Sequence, residues 1–192
     1  MKKSLLCLLV FLVAASIPAS ASDTGFYLGA ALGSSSIDVL DFYPTLGDSV
    51  EDNDVAYKAY GGYRILKFLA VEAGYVNFGN PQWLERNVQG FRERADVNIK
   101  GWDAFVVGIL PVGNVVDIYG KLGVFAWDTQ IESFLQGDVV YTESSTGTDT
   151  VYGFGIGFWV GPNVTLRGEG EWFEIGDYGS VALYSVNVTY TF

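Results

Sequence analysis

Side chains in this chain alternate between apolar and polar over several short segments. The final segment shows the pattern most clearly: even positions 184–192 are Tyr, Val or Phe, and the odd positions between them are Ser, Asn or Thr. Eight such segments can be laid along the sequence, and their apolar parity carries no Asp, Glu, Lys or Arg. Because successive side chains of a strand point to opposite faces, the pattern predicts a sheet with one wholly apolar face.

The connections between these segments alternate in length. The predicted strands lie near 25–34, 55–64, 69–75, 102–110, 116–126, 152–158, 164–172 and 184–192. Tight turns follow the second, fourth and sixth strands, whereas long connections follow the first, third and fifth, at about 35–54, 79–96 and 129–149. Membrane barrels show this asymmetry, with short turns at the periplasmic rim. We therefore predict an all-β fold, an eight-stranded antiparallel up-and-down transmembrane β-barrel whose apolar outside faces lipid.

The N-terminus has the pattern of an export signal. Lys2 and Lys3 precede an apolar run from Leu5 to Ile17, and small residues follow at 19–21. This run is shorter than the roughly 20 residues that a membrane-spanning helix needs. We expect a cleaved signal peptide at 1–21 and a barrel domain at 22–192.

Composition excludes several function classes. The sequence has no histidine, which removes Ser-His and Cys-His catalysis and the commonest metal ligand. Its formal net charge of −11 argues against nucleic acid as a partner. Glu169 and Glu171 could act as an acid/base pair, but as neighbours on one inward face they are better explained as ion-pair partners. We expect no enzyme activity, cofactor or metal site.

Charged residues on the inward parity define a candidate lumenal charge network. Its members are Lys58, Glu72, Asp103, Asp117, Lys121, Arg167, Glu169 and Glu171. A buried charge is costly unless it is paired, and an eight-stranded barrel has an interior just wide enough for its side chains. We therefore predict a plugged lumen. The alternative is a narrow gate, in which the pairs exchange partners to admit water and small ions.

Several segments resemble a known family. They are Gly25-Phe26-Tyr27-Leu28-Gly29, the segment 71–79, Gly120-Lys121-Leu122-Gly123, Leu166-Arg167-Gly168-Glu169 and the ending 186–192. Together they resemble the small eight-stranded transmembrane barrels related to the membrane domain of outer membrane protein A. The ending is similar to the signal that the outer-membrane barrel assembly machinery reads, which implies a recognition role for Tyr190 and Phe192. That family often continues into a domain that grips peptidoglycan, and we do not carry cell-wall anchoring over to this chain.

The long connections differ in charge. The first carries the acidic residues Asp38, Asp41, Asp48, Glu51, Asp52 and Asp54. These acidic side chains keep the connection solvated. The alternative is that, with Glu132 and Asp138 of the third connection, they share divalent cations with lipopolysaccharide phosphates. In the second connection Arg86, Arg92 and Arg94 could pair with phosphorylated sugars of lipopolysaccharide; the alternative is that Glu85, Glu93 and Asp96 simply neutralise them. The expected partners are outer-membrane lipid, lipopolysaccharide and the assembly machinery.

The leading functional prediction is a non-enzymatic integral outer-membrane barrel of a Gram-negative envelope. It would support envelope integrity and present surface loops for adhesion, to a ligand that the sequence does not identify. The alternative is a small porin-like pore gated by the lumenal network. A soluble lipocalin-like carrier would need an apolar lumen, which the inward Lys58 and Glu72 contradict.

Overall fold

A computed structural model describes residues 24–38, 54–79, 82–88, 91–135, 138–176 and 179–192. Within these ranges the chain forms nine strands. They are β1 (Gly25–Asp38), β2 (Asp54–Leu66), β3 (Leu69–Asn77), β4 (Gln82–Val88), β5 (Phe91–Val112), β6 (Val116–Leu135), β7 (Asp138–Trp159), β8 (Val164–Glu174) and β9 (Ser180–Thr191). No helix in the described residues is long and apolar enough to cross a membrane. The predicted signal peptide at 1–21 lies outside the described residues.

The strands close on themselves as an antiparallel barrel. β1 pairs with both β2 and β9, and the chain of neighbours is completed where β3 pairs with β5. β4 pairs with the beginning of β5 and stands outside this ring. The other strands form a closed eight-stranded barrel, which confirms the predicted fold class.

The tight turns, the start of β1 and the end of β9 all lie at one end of the barrel. Phe192 N donates to Phe26 O at 2.9 Å, and Thr191 N donates to Asn163 O in the β7–β8 turn at 2.8 Å. We call this end the short-turn rim and the opposite end the long-connection end. The turn after β5 lies at 113–115, because Pro111 still pairs with Asp117 and Gly113 supplies the left-handed backbone at φ 66°.

Three strands are much longer than predicted. β5, β6 and β7 contain 22, 20 and 22 residues, whereas the other barrel strands contain 9 to 14. The β6–β7 ladder continues to Leu135 and Asp138, through the connection predicted at 129–149. The predicted loop at 79–96 likewise contains β4 and the start of β5. A strand can pair through its backbone without one apolar face, so these extensions lack the apolar alternation that marks a strand in sequence.

The outside of the barrel is apolar, as the alternation predicts. Leu28, Val106 and Phe154 expose 57%, 56% and 64% of their surface. Near the long-connection end Trp172 stacks on Phe154 with ring centroids 5.2 Å apart, and meets Tyr184 edge to face at 5.9 Å. Such rings suit an aromatic girdle at a membrane interface.

Inward tyrosines lie over inward glycines of the paired strand. Tyr27 is the register partner of Gly62, and Tyr119 is the partner of Gly155. A Cβ atom added at either glycine would overlap the facing phenol ring. The missing side chain therefore makes room for the ring, and each tyrosine hydroxyl reaches across the lumen.

Candidate functional site in the lumen

Seven of the predicted network residues meet in the middle of the barrel, and we call these the central network. They are Lys58 on β2, Glu72 on β3, Asp103 on β5, Lys121 on β6, and Arg167, Glu169 and Glu171 on β8. All seven are at most 8% exposed. The inward parity of strands on different sides of the barrel is what brings these side chains together.

Lys121 lies at the centre of this network. Its Nζ is 2.8 Å from Glu72 Oε2 and 2.6 Å from Glu169 Oε2. The same atom is 3.4 Å from Glu171 Oε1. One ammonium thus lies within ion-pair distance of three carboxylates, which compensates the cost of burying them.

Lys58 forms a second centre on the side toward β5. Its Nζ is 2.7 Å from Asp103 Oδ2 and 2.8 Å from Glu171 Oε1. The ring of Phe105 lies beneath the ammonium, with its centroid 4.7 Å away. Glu171 therefore connects the two lysines, since the same oxygen contacts both.

Arg167 joins the network to the inward tyrosines. Its guanidinium contacts Glu72 Oε1 and Glu169 Oε1, each at 2.9 Å. Its Nε donates to Tyr119 OH at 3.0 Å, and the Tyr119 hydroxyl donates in turn to Glu169 at 2.8 Å. Tyr27 donates to Glu72 at 2.9 Å. These bonds fix the carboxylates against their neighbours.

The central network has one more carboxylate than it has cations. Lys58, Lys121 and Arg167 supply three positive charges, against the four carboxylates of Glu72, Asp103, Glu169 and Glu171. Within the described part of the chain, Glu72 Oε2, both oxygens of Asp103 and Glu171 Oε2 are buried and accept no hydrogen bond. Among the described residues Asp103 contacts one cation of the network, Lys58, whereas the other three carboxylates contact two each. Asp103 is therefore the least compensated carboxylate.

Asp117 does not join the other predicted residues. It lies at the short-turn rim, where Arg64 Nη1 contacts its Oδ2 at 3.0 Å and Trp159 Nε1 donates to the same oxygen at 3.0 Å. The prediction of a single network including Asp117 is therefore wrong in this detail. Arg64 was missing from the predicted set, although it shares the inward parity of Lys58 and Tyr60 on β2.

Three phenylalanines fill the lumen on the long-connection side of the network. Phe78, Phe125 and Phe173 are 0% exposed and meet edge to face, and we call them the aromatic plug. The inward parity of Phe125 on β6 follows from that of Lys121, but no apolar layer was predicted. Phe173 could have been found, because it continues the inward parity of Glu169 and Glu171.

A small cavity lies at the short-turn side of the network. Its volume is about 50 Å³, and Arg64, Asp117, Trp159, Arg167 and Thr191 are among its lining residues. A buried water needs roughly 10–15 Å³ of such space, so the cavity is large enough for a few water molecules. The barrel interior thus changes along its axis, from polar cavity through charged network to apolar plug.

The predicted recognition residues lie at the end of the barrel wall. Tyr190 pairs with Leu28 of β1, and its ring centroid is 5.2 Å from that of Phe192. Both side chains are half-buried. Most of the acidic first connection lies outside the described residues, and the side chains of Arg86, Arg92 and Arg94 are likewise not described.

The chemistry of the lumen is electrostatic pairing and apolar packing. Within the described residues no group of three or more His, Cys, Asp or Glu side chains could hold a metal ion. Each buried cation of the central network instead contacts carboxylates directly. These contacts fill the barrel and hold its strands together.

An apolar exterior around a filled, charged lumen defines a transmembrane β-barrel. The family described as the OmpA-like transmembrane domain matches residues 21–191, and the chain belongs to this family. This confirms the resemblance drawn from the sequence segments. The protein is an outer-membrane barrel of a non-enzymatic family.

Known relatives and structures agree with this assignment. The chain is 27% identical over 201 residues to outer membrane protein A of Shigella flexneri, covering 100% of this chain and 56% of the relative. It is 28% identical over 204 residues to outer membrane protein A of Escherichia fergusonii, covering 100% of this chain and again 56% of the relative. The chain therefore spans about half the length of the curated relatives that it matches.

Two solved structures share the fold at low identity. The attachment invasion locus protein Ail of Yersinia pestis, in complex with the heparin analogue sucrose octasulfate, superposes with a TM-score of 0.60 at 18% identity, covering 89% of this chain and 100% of that one. Neisserial surface protein A superposes with a TM-score of 0.64 at 18% identity, covering 88% and 97%.

Proposed function

We propose that this barrel is a scaffold that supports envelope integrity and presents surface structures for adhesion. The observation that carries the proposal is the length of β5, β6 and β7. A tilted strand crosses a bilayer in about 9–11 residues, and these strands contain 20 to 22. The extra residues extend at the long-connection end, the outer end in membrane barrels. Paired hairpins there offer an ordered surface to a partner.

Two further points support this role. The lumen is filled by the central network and the aromatic plug, so binding surface is concentrated outside the barrel. Among proteins with the same fold, Ail of Yersinia pestis is named for attachment and invasion. The partner of this chain is proposed only as a class, a surface molecule that contacts the projecting hairpins.

Separate readouts test the two parts of the proposal. A strain lacking the protein is complemented either with the wild-type chain or with a variant whose residues 131–143 are replaced by a short turn. We expect both to restore resistance to detergent, and only the wild-type chain to restore adherence to host cells. Full adherence by the shortened variant would contradict the surface role, and unchanged detergent sensitivity in the strain lacking the protein would contradict the envelope role.

Lipopolysaccharide is the proposed partner of the second connection. Arg86, Arg92 and Arg94 belong to β4 and to the start of β5, which pair beyond the barrel wall. Guanidinium groups bind phosphate in bidentate fashion. Replacing the three arginines with Gln should weaken lipopolysaccharide binding to the purified barrel, whereas Lys67→Gln at the opposite rim should not. Equal affinity of the wild type, the triple variant and Lys67→Gln would contradict the proposal that lipopolysaccharide binds at the second connection.

Assembly is proposed to depend on the chain end and on export. We propose cleavage of a signal peptide at 1–21, followed by insertion of the domain 22–192. In this scheme the assembly machinery recognises Tyr190 and Phe192. Phe192→Ala should slow folding, compared with the wild-type chain, in vesicles that contain purified assembly machinery. The same substitution should have a smaller effect on folding in protein-free vesicles of the same lipid. An equal effect in both vesicles would indicate a structural role alone.

A small pore gated by the central network is the second candidate function. The cavity beside Arg167 favours it, because water there reaches the ion pairs from the short-turn rim. Conductance in planar bilayers separates the candidates. Steady current that changes when Lys121 or Arg167 is neutralised supports the pore, and a silent folded barrel supports the scaffold.

A further inference from the structure

The aromatic plug and the central network occupy successive levels of the lumen. On β8, Phe173 lies two residues beyond Glu171 toward the long-connection end, and on β6, Phe125 lies four residues beyond Lys121 in the same direction. A strand rises about 3.3 Å per residue. The plug is thus a separate layer that any path through the lumen must cross after the ion pairs.

The plug spans the lumen from wall to wall. Phe125 and Phe173 belong to β6 and β8, which are not neighbours, and Phe78 follows directly after β3. The Phe78 ring centroid lies 5.9 Å from that of Phe125 and 4.9 Å from that of Phe173, and the last two are 4.9 Å apart. Interplanar angles of 90°, 78° and 73° give edge-to-face packing, which leaves little space between rings.

The two layers differ in what they offer to water. Carboxylates and ammonium groups can exchange partners and hydrogen-bond to water that enters from the cavity at the short-turn rim. Three phenyl rings present no hydrogen-bonding atom, and hydrophobic constrictions exclude water and ions by dewetting. An opening of the ion pairs would therefore still end at a dry layer.

We propose that the aromatic plug, and not the central network, is the barrier that keeps water and ions from crossing the barrel. In this assignment the ion pairs hold the strands together, and the lumen is a vestibule that is wet from the short-turn rim as far as the network. The inference does not depend on the surface role proposed above. Residues Phe78, Phe125 and Phe173 become the determinants of permeability.

Planar bilayers containing the purified full chain test the assignment. The double variant F125A/F173A removes two rings of the plug, whereas Phe154→Ala makes the same change on the lipid-facing surface. Glu171→Gln alters the network and leaves the plug intact. Heat-dependent mobility in detergent electrophoresis shows which variants are folded. We expect steady current steps from the folded double variant and none from the wild type, F154A or E171Q.

Three outcomes would overturn the proposal: a folded double variant that stays silent, steady steps from E171Q, or steady steps from the wild-type chain. If the double variant does not fold, thiol labelling decides instead, because Cys7 in the predicted signal is the one cysteine of the sequence. In folded barrels a small water-soluble thiol reagent should modify T191C, which lines the cavity, and leave F125C unmodified. Equal labelling rates of the two variants would show that water reaches the plug, and the proposal that the plug excludes water would then be refuted.

Discussion

Lys121 shares one ammonium among three buried carboxylates, which makes its removal unusually costly. Substitution with Met keeps much of the side-chain volume and leaves Glu72 and Glu169 without their closest cation contact. Breaking a buried pair from one side typically costs about 3–5 kcal/mol. We expect Lys121→Met to lower the free energy of unfolding by about that amount, measured by urea titration of the barrel in lipid vesicles.

The matched control for this prediction is Lys67→Met in the exposed turn between β2 and β3. A surface change away from any special feature is usually within about 0.5 kcal/mol. Similar losses for the two variants would mean that the lumenal ion pairs contribute no more than exposed charges.

Asp103 should tolerate neutralisation better than its partner Lys58. The central network has four carboxylates for three cations, and Asp103 Oδ1 accepts no hydrogen bond. Asp103→Asn balances the charges and keeps the side-chain shape, whereas Lys58→Met leaves both Asp103 and Glu171 without this cation. We expect the Asn variant to cost about 1 kcal/mol or less and the Met variant about 3 kcal/mol or more. Urea unfolding in the same vesicles measures both, and equal costs would contradict the charge count.

Inward and outward glycines differ in how well they tolerate an added side chain, because neighbouring strands pack differently against them. Gly62 faces the Tyr27 ring, which donates its hydroxyl to Glu72, while nothing lies within 4 Å of the position a Cβ would take at Gly108. Overpacking of this kind typically costs about 1–3 kcal/mol. Gly62→Ala should therefore lower the urea midpoint, and Gly108→Ala should leave it unchanged. A neutral result at Gly62 would show that Tyr27 can move without losing its bond.

The strands could be predicted where lipid meets one of their faces. In β9 the alternation at 184–192 follows from that boundary, and the structure exposes Val186 and Val188 as expected. The outer halves of β5, β6 and β7 could not be predicted in this way. These halves show no sustained apolar alternation in the sequence, and the backbone pairing of the β5–β6 and β6–β7 ladders is what defines them as strands.

The sequence alternation could predict which charged side chains face the lumen. It could not predict the height of each side chain along the barrel axis. The period-2 alternation predicted that Lys58, Lys121 and Arg167 face the lumen, and the structure buries all three side chains. The alternation could not separate Asp117 from Glu72, because the height of a residue depends on the register and tilt of strands that are distant in sequence. The same limit hid the aromatic plug, which forms only when Phe125 and Phe173 come to the same level.

The barrel has an apolar exterior and a charged interior, the reverse of a water-soluble protein. This arrangement can be tested by replacing two exposed valines that lie at different depths in the membrane. Val106, in the middle of the predicted lipid-facing part of β5 at 102–110, and Val115, in the turn at the short-turn rim, are almost equally exposed at 56% and 55%. In water, arginine would be tolerated equally well at both positions. In a bilayer, arginine at the midplane costs about 2–4 kcal/mol, against about 0–1 near the interface. We expect Val106→Arg to lower the free energy of unfolding in phospholipid vesicles by the larger amount and Val115→Arg by the smaller. Equal effects of the two substitutions would mean that Val106 does not face hydrocarbon, and the assignment of the apolar exterior to lipid would then fail.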